Sequence, residues 1–172
     1  MFLDKLCKTN PNLIQTAVHM HQQKQILPDT YVVDVDRFLE NAKAILQKAN
    51  EQNIELYYML KQIGRNPYLA KELEKIGYKG AVVVDFKEAE VMMENQLHIA
   101  HAGHLVQIPS MMINQLVAYG CDYITVYSYE KLVEVNEAAK KIGMIQKVCV
   151  RVIGENDRIY SGQTAGFYLN QL

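Results

Sequence analysis

The feature that most constrains this chain is a repeat. Short apolar runs alternate with segments of helical period, and successive runs start about 25 residues apart. The runs fall at residues 31–33, 56–60, 80–84, 98–100, 123–126 and 147–152. Between them, apolar residues recur at helical spacing: Phe38, Leu39, Ala42, Ile45 and Leu46; then Leu69, Leu73 and Ile76; then, after a further helix from Phe86 to Gln96, Met112, Leu116 and Val117; then Leu132, Val135, Ala138 and Ala139. Turn chemistry punctuates the pattern. Asp36, Asn66-Pro67 and Ser128 read as helix starts, and Gly77, Gly120 and Gly143 as helix stops. A leading helix opens at Asn10-Pro11 and runs to about Gln25, before Pro28-Asp29 breaks the chain.

Strands joined by crossover helices must be parallel. The reading is therefore α/β, with six parallel strands and five intervening helices. Two architectures fit: an open doubly wound sheet, or part of a (β/α)8 TIM barrel. No G-x-G-x-x-G follows any strand, so a dinucleotide-binding sheet has no support. A closed barrel needs eight strands in about 250 residues. Six strands in 172 residues thus point to a partial barrel. The expected division is an N-terminal helix over 1–27 and the N-terminal part of a barrel over 28–172, with the later strands and any C-terminal β domain absent. Two open sheet edges invite pairing, so a homodimer or a proteolytic remnant is expected.

Composition narrows the class of function. The net charge is −1, with no basic stripe, so nucleic acid is not an expected partner. No apolar run approaches the length that crosses a bilayer. Cys7, Cys121 and Cys149 are odd in number and widely spaced, which fits reduced thiols and a cytoplasmic location.

In a barrel, chemistry sits at the carboxyl ends of the strands. Lys61 directly follows the apolar run 56–60 and should leave a packed strand into the barrel mouth. Held out of water there, its amine would favour the neutral form that attacks an aldehyde. Position alone equally allows a lysine that merely ends a strand. His98, His101 and His104 suggest a metal cluster, but on a strand residues three apart face opposite sides, and the outer pair would lie about 20 Å apart. No metal site is expected.

Several segments, in order, carry a family resemblance. Leu60-Lys61-Gln62-Ile63-Gly64-Arg65-Asn66-Pro67, after Tyr57-Tyr58-Met59, resembles the strand of alanine racemases and related decarboxylases that ends in the cofactor lysine. The run from Tyr31 to Asn41 resembles the family's first strand and helix, and Asp85 to Glu90 its next strand-end turn followed by a glutamate. Gly103-His104-Leu105-Val106-Gln107 resembles a stretch of single-domain carrier relatives, Ser128 to Leu132 a helix start, and Gly166-Phe167 the end of a later loop. The series is most similar to the YhfX-type branch of alanine-racemase-like proteins.

The resemblance implies a fold type III barrel that carries pyridoxal 5′-phosphate (PLP) on Lys61 as a Schiff base. It implies an amino-acid substrate and a racemase-like isomerase, with an amino-acid decarboxylase or a PLP carrier without turnover as alternatives. A barrel that has lost the cofactor is a further rival. Lys61 would also be the base for the substrate's α-proton. His104 would be the second acid and a cofactor contact, and Arg151 a cofactor contact. One departure stands out: racemases place a tyrosine four positions after the lysine, where this chain has Arg65.

Overall fold

The computed structural model describes residues 2–154, 157 and 165–171. The chain divides into two compact units, residues 1–45 and 46–172.

The first unit opens with two helices, α1 (Phe2–Thr9) and α2 (Pro11–Gln22), where the sequence suggested one. Asn10 joins and caps them. Its Oδ1 accepts from Leu13 N at 3.2 Å, and its Nδ2 donates to Asp34 Oδ2 at 2.6 Å. Asp34 in turn caps α3 (Val35–Glu51), accepting from Arg37 N at 3.1 Å. The cap is therefore Asp34 and not Asp36. Those bonds, from Arg37 first and Asn10 second, hold the Asp34 carboxyl below the usual carboxylate range. The expected strand at 31–33 does not form. Tyr31 is 91% exposed, and no ladder partner pairs with it among the described residues.

The second unit carries the repeat. After α3 the order is α4 (Pro67–Ile76), β1 (Ala81–Val83), α5 (Phe86–Glu94), β2 (Ile99–Ala102), α6 (Ser110–Tyr119), β3 (Tyr123–Val126), α7 (Tyr129–Lys141) and β4 (Lys147–Val150). The four strands form one parallel sheet in the order β1-β2-β3-β4. Residues 56–60 extend it past β1 through a single parallel bridge, Tyr58 to Ala81. Beyond β4 the chain breaks at Arg151. A separate parallel pair follows, β5 (Val152–Ile153) with β6 (Phe167–Tyr168), so the expected strand over 147–152 is divided.

Strands that neighbour in chain order, each joined by a helix, distinguish the two architectures. A doubly wound sheet reverses its order at a switch point. Here none occurs, and right-handed crossovers then put every helix on the same face. That is the arrangement of a barrel wall. The buried residues agree. Ile124 and Val126 of β3, with Ala100 and Ala102 of β2, are buried with Met92 of α5, Leu116 and Val117 of α6, and Val135 of α7. The opposite face carries His101, which reaches Thr125, and Tyr123, under Lys147 at 5.4 Å. Tyr57, Met59 and Tyr123 are exposed.

Candidate active site at the strand ends

The carboxyl ends of the strands form a rim, and main-chain groups tie it together. Leu60 ends the run 56–60 with non-extended backbone (φ −102°, ψ 8°), so the ladder stops there. Its N–H goes instead to Glu88 Oε1, at 3.1 Å. The other oxygen of Glu88 accepts from Val84 N at 2.8 Å. Glu88 is 1% exposed, so these bonds satisfy a carboxylate that would otherwise be expensive to bury. The Leu60 carbonyl accepts from Ile63 N and Arg65 N, both at 3.0 Å, closing a 3-10 turn over Lys61–Ile63.

Lys61 opens that turn. It is exposed, and among the described residues no hydrogen bond or ion pair engages its Nζ. The expected desolvation is therefore not provided by this half of a barrel wall. Arg65 has left-handed backbone (φ 55°) and an ion pair to Asp85 Oδ2 at 2.7 Å. Its Nε is buried, with no hydrogen-bond partner among the described residues. Asp85 also caps α5, accepting from Glu88 N at 2.9 Å.

The rim continues through Val84, whose carbonyl accepts from Val106 N at 3.3 Å. That bond folds the loop after β2 across the end of β1. Gly103 begins the loop with φ +81°, and a Cβ there would lie 3.2 Å from the Thr125 carbonyl oxygen. Tyr127, buried past the end of β3, donates its hydroxyl to the carbonyls of Gly103 and His104, each at 2.8 Å. The Arg151 guanidinium lies over the Tyr127 ring at 5.2 Å. Arg151 itself is fixed by its main chain, donating to the Val126 carbonyl at 3.1 Å and accepting from Phe167 N at 2.8 Å.

His104 and Arg151 are thus brought together through Tyr127, a residue that reads in the sequence as an ordinary strand aromatic. Lys61 is held apart from them, through Glu88. Along the sheet, at about 4.8 Å per strand, it lies roughly 10 Å from the end of β2 and roughly 20 Å from the end of β4. The His104 ring is exposed and meets the His101 ring edge-on at 5.7 Å. His101, one residue past the apolar run 98–100, lies on β2 and bonds the Thr125 hydroxyl. Burial first, and His104 second, push the His101 imidazole below its ordinary value. His98 points elsewhere, to Asp122 Oδ2 at 2.8 Å. Among the described residues no three metal-ligating side chains converge.

A parallel sheet in chain order, with every helix on one face and a hydrogen-bonded rim of loops at the strand ends, defines part of a (β/α)8-type barrel. The alanine racemase N-terminal domain model matches residues 33–159. The chain is 48% identical over all of its 172 residues to the uncharacterized protein YhfX of Escherichia coli K12, and spans 44% of that protein's length. Solved structures share the fold. D-threonine aldolase from Filomicrobium marinum superposes with a TM-score of 0.62 at 19% identity, over 80% of this chain and 36% of that one. Diaminopimelate decarboxylase from Helicobacter pylori gives 0.61 at 17% identity, over 78% and 34%. The chain belongs to the alanine racemase N-terminal domain family, in its YhfX branch, and its fold is a partial fold type III barrel.

Proposed function

We propose that this chain supplies the lysine-bearing half of a PLP-dependent enzyme that acts on an amino acid, with racemisation as the reaction. One observation carries the reading. Lys61 presents an exposed amine, unpaired among the described residues, at a strand end whose preceding amide is pinned by a buried carboxylate. The matched family segment contains it.

The residues fit the cofactor. An aldehyde needs an accessible primary amine, and an anionic ligand needs fixed donors. Lys61 offers the first. Arg65 Nε, buried and without a partner among the described residues, and the Arg151 guanidinium above Tyr127 offer the second. Bound PLP takes up electrons from the substrate's α-carbon and so makes the α-proton acidic. Lys61 Nζ then removes that proton as the base, and His104 is the acid for the opposite face. Arg151 holds the cofactor, with Tyr127 orienting both His104 and Arg151.

A carrier without turnover is the second reading, and the tyrosines favour it. Tyr58 donates to Glu74 at 2.7 Å, and Tyr57 reaches Glu55 at 3.4 Å, so neither takes the place that Arg65 holds in the turn after Lys61. One experiment distinguishes the two. The full-length gene product is incubated with PLP and a panel of L-amino acids in deuterium oxide, and α-deuterium is followed by NMR. Incorporation that Lys61→Ala abolishes supports the enzyme. Bound PLP with no incorporation from any amino acid rejects it in favour of the carrier.

A further inference from the structure

Glu88 is the most deeply buried carboxylate among the described residues, at 1% exposure, and nothing about helix α5 alone requires it to be there. In the sequence, Asp85 and Glu88 have the spacing of a capping box, in which the third helical residue reaches back to the cap's own amide. Half of the motif is present, since Asp85 Oδ1 accepts from Glu88 N. The other half is diverted. Glu88 passes over the Asp85 amide and bonds Val84 N and Leu60 N, on two different strand ends. An ordinary parallel ladder would satisfy those amides with main-chain carbonyls and bury no charge. The positive end of α5 offsets part of the burial.

The consequence falls on one residue. The Leu60 amide is held by Glu88, and the Leu60 carbonyl by Ile63 and Arg65, so the residue before Lys61 is fixed at both its polar groups. The Arg65–Asp85 pair ties the far end of the same turn to the cap of α5. The lysine therefore leaves the strand from a turn braced at both ends by the first turn of one helix. We propose that Glu88 is a positioning residue for Lys61, setting the point from which its amine meets the cofactor. This rests on the reading of Lys61 as the cofactor lysine.

The test uses the full-length gene product and PLP itself. Glu88→Gln keeps one acceptor and turns an N–H donor toward the other amide; Glu88→Asp keeps the charge and withdraws its reach. Both variants are expected to retain the circular dichroism of the wild type. They should bind PLP about tenfold more weakly, the effect of one lost charge-assisted hydrogen bond. The pH midpoint of the visible band of lysine-bound PLP should also move. A role confined to folding would lower the melting temperature and leave that midpoint unchanged, and this overturns the proposal, as does wild-type affinity in both variants. Should neither variant fold, amide hydrogen exchange on the wild type decides. The Leu60 amide should be as protected as that of Val82, and fast exchange at Leu60 removes the brace. A wild-type protein with no visible band rejects the Lys61 reading itself, and this proposal with it. That outcome differs from a wild-type band that the variants leave unmoved.

Discussion

Replacing Tyr127 with phenylalanine removes one oxygen and tests the coupling of the rim. The ring stays, so the packing and the Arg151 contact at 5.2 Å are kept. What is lost is a hydroxyl shared by two carbonyls, Gly103 and His104, each at 2.8 Å. A neutral hydrogen bond contributes a net 0.5–1.5 kcal/mol as a rough range, and a buried acceptor left unpaired costs about 1–3 kcal/mol. Gly103 is buried, so its carbonyl bears that penalty; His104 is exposed, and water can replace its bond. The expected loss is about 1–3 kcal/mol, read from urea unfolding of the full-length gene product with an unchanged m-value. The function should suffer as well, because the His104 backbone loses its anchor. Binding of PLP should weaken in parallel. A change below about 0.5 kcal/mol, the ordinary scatter for surface substitutions, would refute the argument that this hydroxyl holds the rim.

Leu116→Ala, at a side chain 1% exposed under the sheet, should cost about 2–5 kcal/mol in the same unfolding assay, as buried leucines do. Gly166→Ala should destabilise by about 1–3 kcal/mol and weaken PLP binding, since its Cβ would lie 2.8 Å from Ile153 Cγ2 and 2.9 Å from the Arg151 carbonyl oxygen. His101 gives a pH dependence. Its imidazole is held neutral in the fold below the value it has when unfolded, so as pH falls through about 6.5 the unfolded chain takes up the proton first. Thermal stability should therefore fall between pH 7 and 5, and His101→Gln should flatten that slope.

Much of the barrel wall was legible because its signals are local. Asn66 accepts from Tyr68 N and Leu69 N at 2.9 and 3.2 Å, and Ser128 from Lys131 N at 3.3 Å, where the capping residues and spacing place them. The apolar runs at 80–84, 123–126 and 147–150 became strands because each has a neighbour to complete its ladder. Residues 31–33 are equally apolar but have no such neighbour among the described residues, and they form no strand. Asp34 and Asp36 are indistinguishable as caps by type. The long-range bond from Asn10, which no local pattern encodes, accompanies the choice of Asp34.

The site divides along the same line. Lys61, His104 and Arg151 are candidates in the sequence because position at a strand end is a property of the repeat. Glu88 and Tyr127 were missed as rim residues because the partners that tie the rim together, Leu60 N for Glu88 and the Gly103 and His104 carbonyls for Tyr127, are main-chain groups 23 to 28 positions away. Only the spacing of Asp85 and Glu88 gave a signal, and it pointed to a local cap. The exposure of Lys61 also runs against the sequence argument. Desolvation at a barrel mouth needs a closed ring of strands, and four strands with one bridged segment do not close one.

The most direct measurement is a visible absorbance titration of the full-length gene product with PLP, followed by borohydride reduction and peptide mass mapping. The account predicts a visible band and a reduced pyridoxyl group on the peptide that contains Lys61. Absence of the band, or a label confined to any other lysine, would contradict it.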